Sequence, residues 1–157
     1  MVNYENDYRW GENQQKKIAG YLGKKWNNLK SQDRWSKYDF ISDEINMEVK
    51  SRKNSYRAYS TTLLTCNKID DLSKQNIFVF NFVYDMRRDL SEIYYIEYDE
   101  EKFIGYERAM FSRAKKAWDE KEYVYIPITD LTFLYREEDE LVKGEGLEKP
   151  IPCLMCL

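Results

Sequence analysis

Hydrophobic positions along this chain fall into a few clear rhythms. Ile18, Leu22, Trp26 and Leu29 recur at steps of four and three, the spacing that puts one apolar stripe on a helix, so a first helix is predicted over residues 11–29. Gly20 and Gly23 lie inside it and either weaken it or allow close packing. A hairpin is predicted next: a strand over 35–40, a turn over 41–44 and a second strand over 45–51. In the second strand Ile45, Met47 and Val49 alternate with Asn46, Glu48 and Lys50, so the two sets take opposite faces. Residues 57–72 are ambiguous. Tyr59, Thr61, Thr62 and Thr65 favour a strand, but Leu63, Cys66, Ile69 and Leu72 can line one side of a helix starting near Ser60, and the helix is the reading adopted. Residues 77–84, Ile-Phe-Val-Phe-Asn-Phe-Val-Tyr, are apolar on both faces and predict a central strand covered twice. A turn over 86–90 leads to a paired strand over 92–98. A helix over 106–118 and a last strand over 123–128, broken by Pro127, complete the set. These elements describe an α/β (α+β) chain with one mixed sheet flanked by helices. Residues 1–135 form its single domain, and 136–157 a tail, acidic and then rich in Gly and Pro, that docks loosely or moves.

At 157 residues the chain has room for one domain and one self-sufficient core. It contains no histidine, which removes Ser-His-Asp and Cys-His nucleophiles, His-bound zinc and haem, and nucleases with a histidine base. Acid–base chemistry then falls to carboxylates, Lys, Tyr or a metal-bound water. The formal charge of −3 argues against a polybasic nucleic-acid coat, but the charge is unevenly placed. Residues 1–75 hold 14 Lys/Arg against 10 Asp/Glu, and residues 76–157 hold 11 against 18. The basic excess is densest over 16–37, where seven Lys/Arg meet only Asp33 and are interleaved with Tyr21, Trp26 and Trp35. Such interleaving serves a nucleic-acid surface or, more blandly, a solvated helix with core aromatics. Three cysteines, Cys66, Cys153 and Cys156, imply no disulfide framework. The polar, acidic first residues lack a signal-peptide pattern and no run of residues is apolar enough to span a bilayer, so a cytoplasmic protein without a membrane partner is expected. The Cys153-Leu154-Met155-Cys156 pair lacks the further ligands zinc would need.

The segment richest in chemistry is Tyr38-Asp39-Phe40 followed by Glu48-Val49-Lys50. Alternation turns the Asp39 carboxylate away from the face shared by Tyr38 and Phe40, and puts Glu48 and Lys50 on one side of their strand. If the two strands pair, Asp39 and Glu48 converge. Two carboxylates a few ångströms apart repel, and a divalent cation relieves them. Oxygen ligands from Asp39, Glu48 and the Val49 carbonyl suit Mg²⁺ or Mn²⁺. The pattern of an acid, any residue and Lys also occurs at 100–102 and 119–121, but there in charged, turn-like settings.

Asp39 and Glu48-Val49-Lys50 on a hairpin, after one helix and before another, resemble the PD-(D/E)xK nuclease superfamily, which includes restriction endonucleases and Holliday-junction resolvases. The likeness covers about residues 11–85 and departs from the motif where Tyr38 replaces its proline. It implies a restriction-endonuclease-like core and a Mg²⁺- or Mn²⁺-dependent DNA endonuclease. In that reading Asp39 and Glu48 bind the metal and Lys50 attends the attacking water. Glu12 falls where some members add a glutamate from the first helix, and Asn67 or Lys68 where many place a polar residue of the following helix. Arg52, Lys53 and Arg57 continue the positive charge from Lys50 and suit phosphate contact. So small a chain leaves little room for a separate target-recognition domain, so branched DNA is the expected substrate and a homodimer the expected way to cut two strands. Lys, Asn and Tyr usage points to a phage or an AT-rich genome. The alternative is a non-catalytic, nuclease-like module that binds nucleic acid or a protein partner, favoured by the acidic second half.

Overall fold

The computed structural model describes residues 4–69, 73–112 and 120–139. In chain order the elements are α1 (Tyr4–Lys25), β1 (Lys30–Ser31), β2 (Phe40–Ile41), β3 (Ile45–Arg52), β4 (Thr61–Thr65), a 3₁₀ turn (Cys66–Ile69), β5 (Gln75–Asp85), β6 (Leu90–Glu97), α2 (Glu100–Ile104), β7 (Arg108–Phe111), β8 (Lys121–Pro127), a second 3₁₀ turn (Ile128–Asp130) and β9 (Thr132–Arg136). The fold is α+β. A mixed sheet of six strands runs in the order β1-β2-β3-β5-β6-β9, and a second sheet runs β4-β8-β7. Among the described residues only β3 and β5 pair in parallel. Parallel neighbours need a crossover, and the chain makes it through β4 and the first 3₁₀ turn.

Strand β5 organises the interior. Its odd positions Ile77 and Val79 join Ile18 and Leu22 of α1, Met47 and Val49 of β3 and Ile93 of β6 in one apolar cluster. Its even positions Phe78, Phe80 and Phe82 meet Leu64 of β4 and Val124 and Ile126 of β8 in another. The molecule is therefore layered: α1, then the large sheet, then the small sheet. Asn81, on the helix side and fully buried, donates to Gln14 Oε1 (3.1 Å) and Ser51 Oγ (3.0 Å).

Several expectations need correction. The first helix starts at Tyr4, seven residues before the predicted start at residue 11, and ends at Lys25, so Trp26 and Leu29 pack against the core from the following loop. The first hairpin strand shrinks to Phe40–Ile41, because an Asx turn at Asp33 (Trp35 N–H to Oδ1, 3.0 Å) holds the preceding residues in a loop and leaves Trp35 exposed. The helix expected after Ser60 is strand β4 and one 3₁₀ turn. There the period of two, with Thr62 and Leu64 inward and Thr61, Leu63 and Thr65 outward, wins over the helical spacing. The helix expected over 106–118 is replaced by α2, capped by Asp99, and by edge strand β7; residues 113–118 lie outside the described residues. Strand β9 has only one half-buried position, Leu134, and so carries no alternation to read.

The boundary at residue 136 also moves. Arg136 ends β9, and Glu137 belongs to the body. Its carboxylate lies 3.0 Å from Lys17 Nζ and accepts the Tyr21 hydroxyl (3.0 Å) and the Ser91 N–H (2.9 Å). Lys17 also donates to the carbonyl of Asp89 (2.8 Å), which adopts φ 57 in the β5–β6 turn, a conformation Asp tolerates better than most. This clamp ties α1, the β5–β6 hairpin and the end of β9 together. The expected tail beyond, including Cys153 and Cys156, lies outside the described residues. Among the described residues no helix is long and apolar enough to cross a membrane.

Glu137→Ala removes three partners from a mostly buried carboxylate and should cost about 2 kcal/mol in a denaturant melt, as hydrogen bonds to charged groups do. Glu138→Ala, at an exposed ion pair with Arg136, should change stability by less than about 0.5 kcal/mol.

Candidate functional site

Asp39 is held from three directions. Its N–H donates to the Met47 carbonyl (2.9 Å) and its carbonyl accepts from Gln32 N–H (3.0 Å). Its carboxylate Oδ2 accepts the Val49 N–H at 2.7 Å. The side chain thus takes a ladder position on β3 just beyond the last backbone pairs, Phe40 with Met47 and Ile41 with Asn46. Glu48 follows Met47 on β3, and because Met47 and Val49 face the helix-side core, its carboxylate emerges on the opposite face. It is almost fully buried, with Lys50 Nζ 2.9 Å from Oε2 and Lys68 Nζ 3.4 Å from Oε1. Lys68 is fixed in turn by donating to the Lys37 carbonyl (2.5 Å), and Tyr38 donates from its hydroxyl to the Lys68 carbonyl (3.2 Å).

These contacts set the electrostatics. Burial pushes the Asp39 carboxyl up to about 7 and the Glu48 charge adds to that; the Val49 N–H, Lys50 and Lys68 pull the other way without cancelling it. Glu48 therefore sits close enough to disfavour the charge on Asp39. With Lys50 and Lys68 beside them, two carboxylates and two ammonium groups share one pocket.

The pocket opens into a cleft of about 1110 Å³. Its lining comes from the N-terminal half of α1, the loop before Asp39, β3 and the small sheet. Eight Lys/Arg and five Asp/Glu line it, so a chain of charge −3 presents a locally positive cleft. No family model, curated protein or solved structure matches this chain. What the cleft does must be read from its own chemistry.

Of the residues singled out from the sequence, Asp39, Glu48, Val49, Lys50, Lys68, Lys53 and Glu12 all line the cleft. Val49 contributes its N–H to Asp39. Glu12 accepts from the Tyr8 hydroxyl (3.2 Å). It does not join the pair as a third ligand: among the described residues no group of three acidic, thiol or imidazole side chains is close enough to hold a metal. Lys53 lies 4.9 Å above the Trp10 ring and 4.0 Å from Asp7. Arg52 is a structural strut more than a free phosphate contact, since its guanidinium donates to Thr62 Oγ1 (3.3 Å) and the Leu63 carbonyl, joining β3 to β4. Asn67 departs from the expectation: in the 3₁₀ turn it faces a separate cavity with Arg108 and Glu122. Arg57 is exposed on the loop between β3 and β4 and is not part of the cleft lining. The basic stretch 16–37 divides. Lys16, Arg34 and Lys37 reach the cleft, while Lys17 is bound in the Glu137 clamp and Lys25 lies 5.1 Å above the Tyr95 ring.

Sequence reasoning missed the wall supplied by Phe111, Lys121, Tyr123 and Tyr125. They come from β7 and β8, more than 60 residues beyond Lys50, and only the sheet pairing brings them to the cleft. It also did not foresee that Lys68 pairs directly with Glu48.

The Asp39 shift has a consequence without metal. Its folded-state value, about 7 against 3.8, means the folded chain holds the extra proton across that window. Its contribution to stability is full at low pH and is lost as pH rises through about 7. In EDTA, Asp39→Asn should therefore gain on the wild type in melting temperature between about pH 5 and about pH 8. A difference that stays flat with pH contradicts the assigned environment.

Proposed function

We propose that this chain is a Mg²⁺- or Mn²⁺-dependent nuclease of the PD-(D/E)xK type that hydrolyses phosphodiester bonds of DNA, as an endonuclease. The observation that carries the reading is the placement of Asp39, in the loop just before β2, beside Glu48 on β3, both lining one positively charged cleft, with Lys50 2.9 Å from Glu48. The donor set fits a hard cation. Both groups are carboxylates, and Mg²⁺ is bound through one or two carboxylates with waters completing its shell, so a third acidic side chain is not required. Asp39 and Glu48 would hold it. A bound divalent ion lowers the pKa of water and stabilises charge on a scissile phosphate.

The chain's own groups supply the rest. The Val49 N–H orients Asp39. Lys50, about one-third exposed and aimed at the same carboxylate, is placed to donate a hydrogen bond to an attacking water and orient it. Lys68, the less exposed of the two lysines, keeps positive charge against Glu48 and the approaching phosphate. Lys16, Arg34, Lys37 and Lys53 offer backbone contacts along the cleft. Cutting both strands symmetrically would take two copies. A reducing cytoplasm suits Cys66, which forms no disulfide among the described residues.

One observation favours the alternative, a non-catalytic module. Lys50 and Lys68 already neutralise Glu48, so the pocket is electrically satisfied by protein groups alone. Metal linkage separates the readings. Mg²⁺ or Mn²⁺ should raise the wild-type melting temperature, and Glu48→Gln should abolish that rise. On labelled branched, single-stranded and duplex DNA with Mg²⁺, Lys50→Ala should cut turnover by about 10²- to 10⁴-fold while keeping the metal-induced stabilisation. Wild-type turnover in Lys50→Ala, or no response of the wild type to either ion, removes the nuclease reading.

A further inference from the structure

The small sheet has two faces of different chemistry. Register pairs Leu64 with Val124 and Thr62 with Ile126 on the face that packs against Phe78, Phe80 and Phe82. The opposite face carries Thr61, Leu63 and Thr65 beside Pro127, Tyr125 and Tyr123, and Ala109 and Phe111 beside Tyr123 and Lys121. That second face is a wall of the cleft that holds Asp39 and Glu48. Phe111 stacks on Tyr123 with ring centroids 4.3 Å apart and planes 16° from parallel. Phe111 and Tyr125 are partly exposed, and Tyr59 on the same cleft is 67% exposed. Lys121 and Lys53 supply positive charge nearby.

Flat rings beside ammonium groups have a specific use. In duplex DNA the bases are stacked on each other and offer no free face to a ring in a cleft wall. An unpaired strand offers both its base faces and its phosphates, and stacking is tolerant of sequence because every base has a π-face. We propose that the outward face of the β4-β8-β7 sheet is a platform for an unpaired stretch of DNA. Its bases stack on Phe111, Tyr125 and Tyr59, and its phosphates lie along Lys121 and Lys53 and lead to the Asp39–Glu48 pair. The proposal rests on the nucleolytic reading of those carboxylates and specifies the form in which they meet their substrate: single-stranded or at an unpaired flank of a branch.

Binding can be measured without chemistry. The full chain in EDTA is titrated into fluorescein-labelled oligothymidylate of about 15 nucleotides, a duplex of equal length and the matching oligouridylate, and anisotropy is followed. The single DNA strand should bind at least about tenfold more tightly than the duplex. Tyr125→Ala and Phe111→Ala should each weaken it about tenfold, and Tyr125→Phe, which keeps the ring, should bind like wild type. Tyr59→Ala, at a largely exposed position, provides the same reading should Phe111→Ala fail to fold. Equal or tighter duplex binding, unchanged affinity in the alanine variants, or binding of the RNA strand alone overturns the platform. A parallel cleavage assay with Mg²⁺ keeps the two ideas apart. Tight single-strand binding without cleavage under Mg²⁺ or Mn²⁺ would defeat the nuclease reading and leave the platform standing. Cleavage of duplex as readily as of single strands would do the reverse.

Discussion

Strand β5 has no polar face to give to water, and much of the architecture follows from covering it on both sides. Ile77 and Val79 are met by α1, and Phe78, Phe80 and Phe82 by β4 and β8. Each of these side chains, fully buried, contributes roughly 1.5–3 kcal/mol relative to exposure. The parallel pairing of β3 with β5 then forbids a short turn between them. The 22 residues separating Arg52 from Gln75 serve two purposes: they supply the first strand of the covering sheet, and they bring Lys68 back to Glu48. The second lysine of the pocket is thus a product of the crossover that the core demands.

The same alternation places the chemistry. Residues on β3 that are not needed by the helix-side core, Glu48 and Lys50, have to face the small sheet. Burial there costs the carboxylates solvation, and that cost is offset by hydrogen bonds and ammonium partners, with Asp39 left the least comfortable of the group. A pair of carboxylates strained in this way is a poor structural device: an apolar pair of similar volume would pack with less penalty. On the proposed reading, a cation held by Asp39 and Glu48 would relieve what Lys50 and Lys68 leave uncompensated at Asp39.

Local patterns carried most of what could be read from residues alone. Ile18 and Leu22, the alternation of Ile45, Met47 and Val49, and the two-faced run ending in Tyr84 each report a burial that involves neighbours close in sequence. Asp39 and Glu48 were legible for the same reason, being joined by a short turn. Thr61–Thr65 was misread because five residues of strand running into one 3₁₀ turn mimic helical spacing of Leu63, Cys66 and Ile69. Strand β9 and edge strand β7 bury too little to leave a rhythm. Asn67 and Lys68 were indistinguishable in sequence, yet one turn of 3₁₀ geometry sends them to different cavities. Nothing in the local sequence distinguished Glu137 from its acidic neighbours, because its role depends on Lys17 and Tyr21 more than 110 residues away.

Net charge is the quantity that misleads most. An acidic chain is a poor candidate for nucleic acid only if its charge is spread evenly. Here the cleft lining carries three positive charges in excess, so the remainder of the chain is more acidic than its total of −3 indicates. Part of that acidity is internal: Glu137 and Asp89 are committed to Lys17, and Glu92 to Arg136. The rest lies outside the cleft lining. A low pI is thus compatible with a locally positive cleft, and on the proposed reading that cleft is where Asp39, Glu48 and Lys50 would meet a phosphate backbone. The aromatic face of the small sheet lines the same cleft, so on the proposed reading a field that drew phosphates there would also bring their bases within reach of Tyr125 and Phe111.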